Sequence, residues 1–308
     1  MKQENENQII DKLEREIEEL KKDRDFWVKE ARDLETFLIR KFPGPFLEFE
    51  VHLAEHCNLN CMGCDHFSPL AKPAFPDFAH FKADMERMAE IFGDDVSSIN
   101  LLGGEPLLNK DIIQFISCTR KCFPNVKRTK IRIVTNGILL PNMNNSFWDA
   151  CYTEAIMIAI TKYPINIDYP SIFSKAQLHS VQIGFYDEQT GEKELYRVPL
   201  QLKGNLDPKR SFYKCPSANV CCFLKQGKLY TCTLIPNIVH FCTYFNVDIK
   251  EEQDDYIDIY SDITKYEAFE KLARPTKFCR YCDTENKVYG LKWCRSSRNI
   301  KEWLVDEL

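Results

Sequence analysis

The chain has 308 residues, room for one large domain or two ordinary ones, and its formal charge is −5, from 41 basic and 46 acidic side chains. So mild an excess demands neither nucleic acid nor an acidic membrane as partner. The polar opening "MKQENENQIIDKLERE" is no secretory signal, and the apolar run "AIMIAI" (155 to 160) falls far short of the ~20 residues of a membrane helix, so a cytoplasmic protein is expected.

Residues 1–42 carry no glycine or proline until "FPGP" (42 to 45) stops them. Ile10, Leu13, Ile17, Leu20, Arg24, Trp27, Ala31, Leu34 and Leu38 recur at alternating three- and four-residue steps. That is an a/d seam with charged flanks, broken once at Arg24. It predicts a coiled-coil helix and a homodimer through it; a helix folded back on its own body is the plainer alternative.

From residue 46 strand-like and helix-like segments alternate. "FLEFEVHL" leads to a helix near 80–92, "SSINLL" to one at about 109–122, "KIRIVT" to one near 146–153, and "AIMIAI" to one near 171–179; "VQIGFY" follows. Such alternation predicts an α/β fold with a parallel sheet, open or curled toward a barrel, and ligands at the carboxyl ends of its strands. After about residue 200 the rhythm stops. "VCCFLKQGKLYTCTL" reads as a hairpin turning at Gln226-Gly227. An acidic stretch, the pair in "FCRYCD" and a short amphipathic helix with Ile300, Trp303 and Leu304 follow. Few core residues are evident there, so a metal is expected to supply what the core lacks. The expected boundaries are 1–42 for the coiled coil, 46–205 for the core domain, 206–296 for a smaller domain and 297–308 for a last helix.

Fourteen cysteines in a reducing compartment point to metal ligation or thiol chemistry rather than disulfides. Three of them, Cys57, Cys61 and Cys64, stand in "HLAEHCNLNCMGCDHF", straight after the first strand. Three thiolates fall one short of a closed zinc site, unless His56 completes it. They can hold three irons of a four-iron cluster and leave the fourth iron open. "LLGGEPLL" then ends the second strand and "VTNG" the third.

With these elements the sequence resembles the radical S-adenosylmethionine superfamily, whose signature is Cys-x3-Cys-x2-Cys. The resemblance implies a partial (β/α)6 barrel and a 4Fe–4S cluster on Cys57, Cys61 and Cys64. It also implies S-adenosylmethionine (SAM) on the open iron, bordered by Gly103, Gly104, Glu105 and Asn136. Reductive cleavage would give a 5′-deoxyadenosyl radical that abstracts hydrogen from a substrate. Many members carry an aromatic residue before the third cysteine; here it is Gly63, and Phe67 is the expected substitute surface for adenine. Cys215, Cys232, Cys279 and Cys282 resemble the Twitch form of the superfamily's SPASM auxiliary domain, in a layout similar to that of aminocyclitol-oxidising members. This implies a second 4Fe–4S cluster. Zinc also suits four thiolates, and Cys221, across the hairpin from Cys232, competes with Cys215 as ligand.

Strand ends name Asp65 and His66 after the cysteine loop, Lys162 and Tyr163 after the fourth strand, and Tyr186 and Asp187 after the fifth as candidates to meet the substrate. Of these, Lys162 or Asp187 could take a hydroxyl proton as the substrate radical gives up its electron, and each could instead be a solvated charge or a structural partner. The basic run at 120–132 reads as a solvated face, and Cys118, Cys122 and Cys151 as core. The expected function is oxidation or epimerisation of a carbohydrate-like alcohol, with flavodoxin or ferredoxin as reductant. A maturase acting on a peptide and a non-catalytic metal-binding adaptor are the alternatives.

Overall fold

The structure, a computed structural model, describes residues 10, 12–28, 31, 46–186 and 191–304. It divides into two units, Met1–Phe42 and Pro43–Leu308. In the first, residues 12–28 are helical, and Ile10, Leu13, Ile17, Leu20 and Trp27 each leave half or more of their surface exposed. Leu34 and Leu38 of the seam lie outside the described residues.

In the second unit the five expected strands form a parallel series: β1 (Leu47–Ala54), β2 (Val96–Gly103), β3 (Lys130–Thr135), β4 (Ile156–Ile160) and β5 (Ile183–Phe185). They alternate with α1 (Phe78–Phe92), α2 (Ile112–Cys122), α3 (Asn145–Thr153) and α4 (Tyr169–Leu178). Val96, Ile99, Ile131, Ile133 and Ile158 of the strands pack on Met85, Phe115, Ile116 and Trp148 of the helices. β-branched side chains suit this pleated surface, and each such burial is worth about 2 kcal/mol. Asp77, Asn144 and Asp168 cap α1, α3 and α4 by accepting from the amides of His80, Phe147 and Ser171.

The hairpin forms as expected from β7 (Cys222–Lys225) and β8 (Lys228–Tyr230). Gln226 and Gly227 have φ of 50° and 76°, positive at both positions as the tightest two-residue turn requires. The hairpin does not stand in a separate sheet. β7 lies parallel to β1, and β9 (Tyr256–Asp258) follows β8, giving the order β5-β4-β3-β2-β1-β7-β8-β9. The main sheet therefore continues past the boundary expected after residue 205. Asp84 of α1 pins the joint, accepting from the Gly227 amide at 3.0 Å and the Tyr260 hydroxyl at 2.8 Å. A second, antiparallel sheet joins β6 (Leu195–Arg197) to β10 (Val288–Leu291).

Three expectations are corrected. The segment after residue 200 has a core of its own: α5 (Pro208–Lys214), α6 (Leu234–Phe245) and α7 (Lys265–Leu272) form there, and Ile235, Ile238 and Phe241 pack on Phe67, Phe223 and Trp303. The last helix is a single 3-10 turn, Ile300–Glu302, with residues 305–308 outside the described ones. The basic run is not simply a solvated face, because Arg120 is buried and donates to the carbonyls of Phe123, Thr129, Glu154 and Ala155. Cys151 is buried as expected, and Cys118 and Cys122 pack at the core's edge. Among the described residues no helix is long and apolar enough to cross a membrane.

Candidate active site

The carboxyl ends of β1 to β4 meet at a cleft of about 140 Å³, lined by Cys57, Cys61, Cys64, Gly104, Asn136 and Tyr163 among others. Larger hollows of about 390 and 680 Å³ lie elsewhere, but neither carries a thiol, and parallel sheets bind ligands at their strands' carboxyl ends.

The cysteine loop is coiled by left-handed residues at Asn60, Gly63 and Phe67, with φ of 56°, 61° and 52°. Cys57 Sγ accepts from the Leu59 amide at 3.3 Å, and Asn136 Nδ2 stands 3.7 Å from it. Burial pushes the Cys57 thiol up to about 11 and raises those of Cys61 and Cys64 as well. Buried neutral thiols of this kind give up their protons to a metal. All three act on the Tyr163 hydroxyl, which burial first and the thiols second keep protonated, so the three sulfurs face one place. His56 turns away to meet Phe75 edge-on, with ring centroids 5.2 Å apart. Phe67 is wholly buried between Phe241 and Trp303, which makes it core and removes it as the surface for adenine.

The glycine pair is required by the chain's own packing. A Cβ at Gly103 would stand 2.3 Å from the Ala54 carbonyl oxygen, and one at Gly104 2.1 Å from that of His56. The Gly104 and Glu105 amides donate to these same carbonyls at 2.8 and 3.1 Å, lacing the end of β2 to the cysteine loop. Glu105 is fully buried and accepts from Thr135 Oγ1 at 2.7 Å and the amides of Asn136 and Leu107 at 2.9 and 3.1 Å. Burial raises its pKa to about 7 despite these bonds. Gly103, Gly104 and Asn136 line the cleft; the Glu105 carboxylate instead clamps the end of β3.

The second thiol set also comes together. Cys215 caps α5, Cys232 follows β8, and Cys279 and Cys282 bracket the end of a 3-10 turn, Lys277–Tyr281. Cys282 is acted on by Cys279, Cys232 and Cys215, and Cys232 by Cys215 and Cys279. Burial raises Cys232 and Cys282, and Cys279 to about 11. The chief neighbours of Cys221 are Glu50, Cys222 and Asp65, with Cys232 the one member of the set among them. Among the described residues no three His, Cys, Asp or Glu side chains close at single-ion distance. Thiolates on the corners of a four-iron cube stand farther apart than the ligands of one zinc ion.

Lys162 holds its ammonium 5.3 Å from the Phe185 ring centroid and is not among the residues lining the cleft; Asp187 lies outside the described residues. The polar residues of the site include the strand-end candidates Asp65 and His66, together with the buried Glu50 and His52. Asp65, next to Cys64, interacts with Tyr196 and acts on Cys282 of the second set; burial raises its pKa to about 6. Burial, then Asp65 and Glu48, lift Glu50 of β1 to about 8. His66 Nδ1 stands 2.7 Å from His52 Nε2 and 3.2 Å from Thr233 Oγ1. Glu48, Glu50 and His52 occupy alternate positions of β1, opposite the core residues Phe49, Val51 and Leu53. That polar stripe was the available signal for this part of the site.

No family model matches the sequence. The chain is 26% identical over 273 residues to the GTP 3′,8-cyclase of Nautilia profundicola, spanning 86% of this chain and 80% of that one. It is 31% identical over 177 residues to molybdenum cofactor biosynthesis protein 1 of Bos taurus, spanning 55% of this chain and 26% of that protein. Among solved structures, BtrN in complex with AdoMet and 2-DOIA aligns with a TM-score of 0.49 at 18% identity, covering 77% of this chain and 93% of that one. Three thiols at the Cys-x3-Cys-x2-Cys spacing, set at the first strand end of a parallel sheet, make the chain similar to the radical S-adenosylmethionine superfamily of enzymes.

Proposed function

We propose that the enzyme oxidises a secondary alcohol on a small, carbohydrate-like substrate. In this reading Cys57, Cys61 and Cys64 hold the SAM-binding 4Fe–4S cluster, and Cys215, Cys232, Cys279 and Cys282 hold a second one. When bound, SAM and the reduced first cluster supply the radical that takes a hydrogen atom from the substrate. Gly103, Gly104 and Asn136 border that site and orient the methionine end, and a flavodoxin or ferredoxin delivers the electron.

The observation that carries oxidation is the convergence of four thiols in the second set. With a thiolate on every iron none is left for substrate, which suits that cluster to accept the electron a substrate radical gives up. Asp65, Glu50 and Tyr196 offer carboxyl and hydroxyl groups close enough to one another to interact. Carboxyls raised toward neutral pH both donate and accept, as hydroxyl groups require. Among the described residues, none of those lining the cleft is Lys or Arg, whereas a triphosphate calls for several.

A second reading, nucleotide cyclisation, is favoured by the Nautilia relative, whose name specifies GTP. One experiment separates the two. The anaerobically reconstituted, reduced protein is given SAM with either an aminocyclitol deuterated at its carbinol carbon or GTP deuterated on the ribose. Deuterium passing from the aminocyclitol into 5′-deoxyadenosine, with a ketone formed, is the expected result. Transfer from GTP alone overturns it, and an epimer in place of the ketone removes the electron-accepting role of the second cluster.

A further inference from the structure

The C-terminal stretch that follows β10 lies directly on the cysteine loop. The Met62 amide donates to the Cys294 carbonyl at 3.0 Å, the Ser296 amide donates to the Asn60 carbonyl at 2.8 Å, and Cys61 and Arg295 form an antiparallel bridge. Trp293 Nε1 stands 3.1 Å from Cys61 Sγ. Farther on, the Glu302 carboxylate accepts from Ser296 and Ser297, and Trp303 Nε1 donates to the Cys64 carbonyl at 3.0 Å. The strap is therefore fastened to the loop at both ends.

The three sulfurs are served differently. Cys57 accepts from the amides of Leu59 and Asn60 within the loop, with Asn136 Nδ2 3.7 Å away, and Cys64 from the amides of His66 and Ser68. Cys61 has, besides its own backbone, two donors from distant parts of the chain: the Trp293 indole and the Tyr163 hydroxyl. These two rings lie 6.2 Å apart, centroid to centroid. The strap also explains Gly63. A Cβ there would come within 3.1 Å of the Glu302 carbonyl oxygen, on a backbone at φ 61°. The position where many members carry an aromatic residue is closed to one, and the strap brings its own aromatic residue to the neighbouring sulfur.

We propose that Trp293 is a positioning residue of the first cluster: its indole N–H, aimed at the Cys61 sulfur by the C-terminal strap, raises that cluster's reduction potential. An N–H aimed at a cluster sulfur stabilises the added negative charge of the reduced form. Unlike the Tyr163 hydroxyl, the indole N–H is donor only, so it cannot turn about and accept. The proposal rests on the reading that Cys57, Cys61 and Cys64 hold a cluster.

Trp293→Phe keeps a ring beside Tyr163 and deletes the donor; Trp293→His restores a ring N–H. The wild type first identifies the cluster whose paramagnetic resonance signal changes on adding SAM, and its midpoint potential is measured by redox titration. In W293F that potential is expected to move to more negative values, with the second cluster's unchanged, and in W293H to return toward wild type. An unchanged potential in W293F overturns the proposal, as does a W293H potential equal to that of W293F. Should W293F fail to hold iron, loading restored in W293H supports the donor role, and loading lost in both overturns it. A wild type without any SAM-responsive cluster is a separate result, and it removes the proposed function rather than the role of Trp293.

Discussion

A methyl group at Gly104 would press on the His56 carbonyl and the Cys57 amide, neither of which is the loose end of a side chain. Gly104→Ala is expected to cost about 1–3 kcal/mol, as other overpacking substitutions do, and to lower iron loading. Thermal unfolding and an iron assay check it; an unchanged melting temperature would show that the loop yields. Glu50 gives a pH prediction. Its folded pKa of about 8 lies above the ordinary 4.5, so the folded state holds a proton that the unfolded chain releases between those values. Stability should therefore fall as pH rises from about 4.5 to about 8, by at most ~1.4 kcal/mol per pH unit from this group. Asp65 and Glu105, also raised by burial, add to the same trend. Glu50→Gln should flatten the slope of melting temperature between pH 5.5 and pH 8 and raise its value at the upper end; an unaltered slope would place the effect elsewhere. The thiols of Cys57, Cys61 and Cys64 were legible in the sequence because their spacing is local. Glu50 was not named, although its place in an alternating polar stripe of β1 could be read.

The five parallel strands were legible at the scale of elements, since runs such as "KIRIVT" are β-branched and bounded by turns. The helix α6 was not. "LIPNIVHFCTYF" mixes a proline, β-branched residues and aromatics, is apolar nearly all round, and owes its helicity to packing on Phe67 and Trp303. The N-terminal helix is the opposite case, with a seam plain in the sequence and exposed in its own unit. Isoleucine at Ile10 and Ile17, leucine at Leu13 and Leu20, and the opposite charges of Glu16 and Lys21 at flanking positions suit a parallel two-stranded coiled coil. The proposed homodimer should be seen by light scattering, and Leu20→Asp should convert it to monomer without changing the iron content. A monomeric wild type would sink the idea.

For the whole molecule, the partition of fourteen cysteines is the test. Cys282→Ala is expected to reduce iron from about eight to about four atoms per chain while sparing SAM cleavage, whereas Cys221→Ala should leave both unchanged. Equal iron loss in the two variants would return Cys221 to the ligand set. The sequence by itself determined the βα rhythm, the seam and the Cys57, Cys61 and Cys64 loop, because strand periodicity, heptads and loop ligands are set by neighbours along the chain. Only the tertiary structure decided that β7 joins β1 and that Trp293 reaches Cys61. Those choices pair groups far apart along the chain, and no local pattern records which distant partners a packed core will bring together.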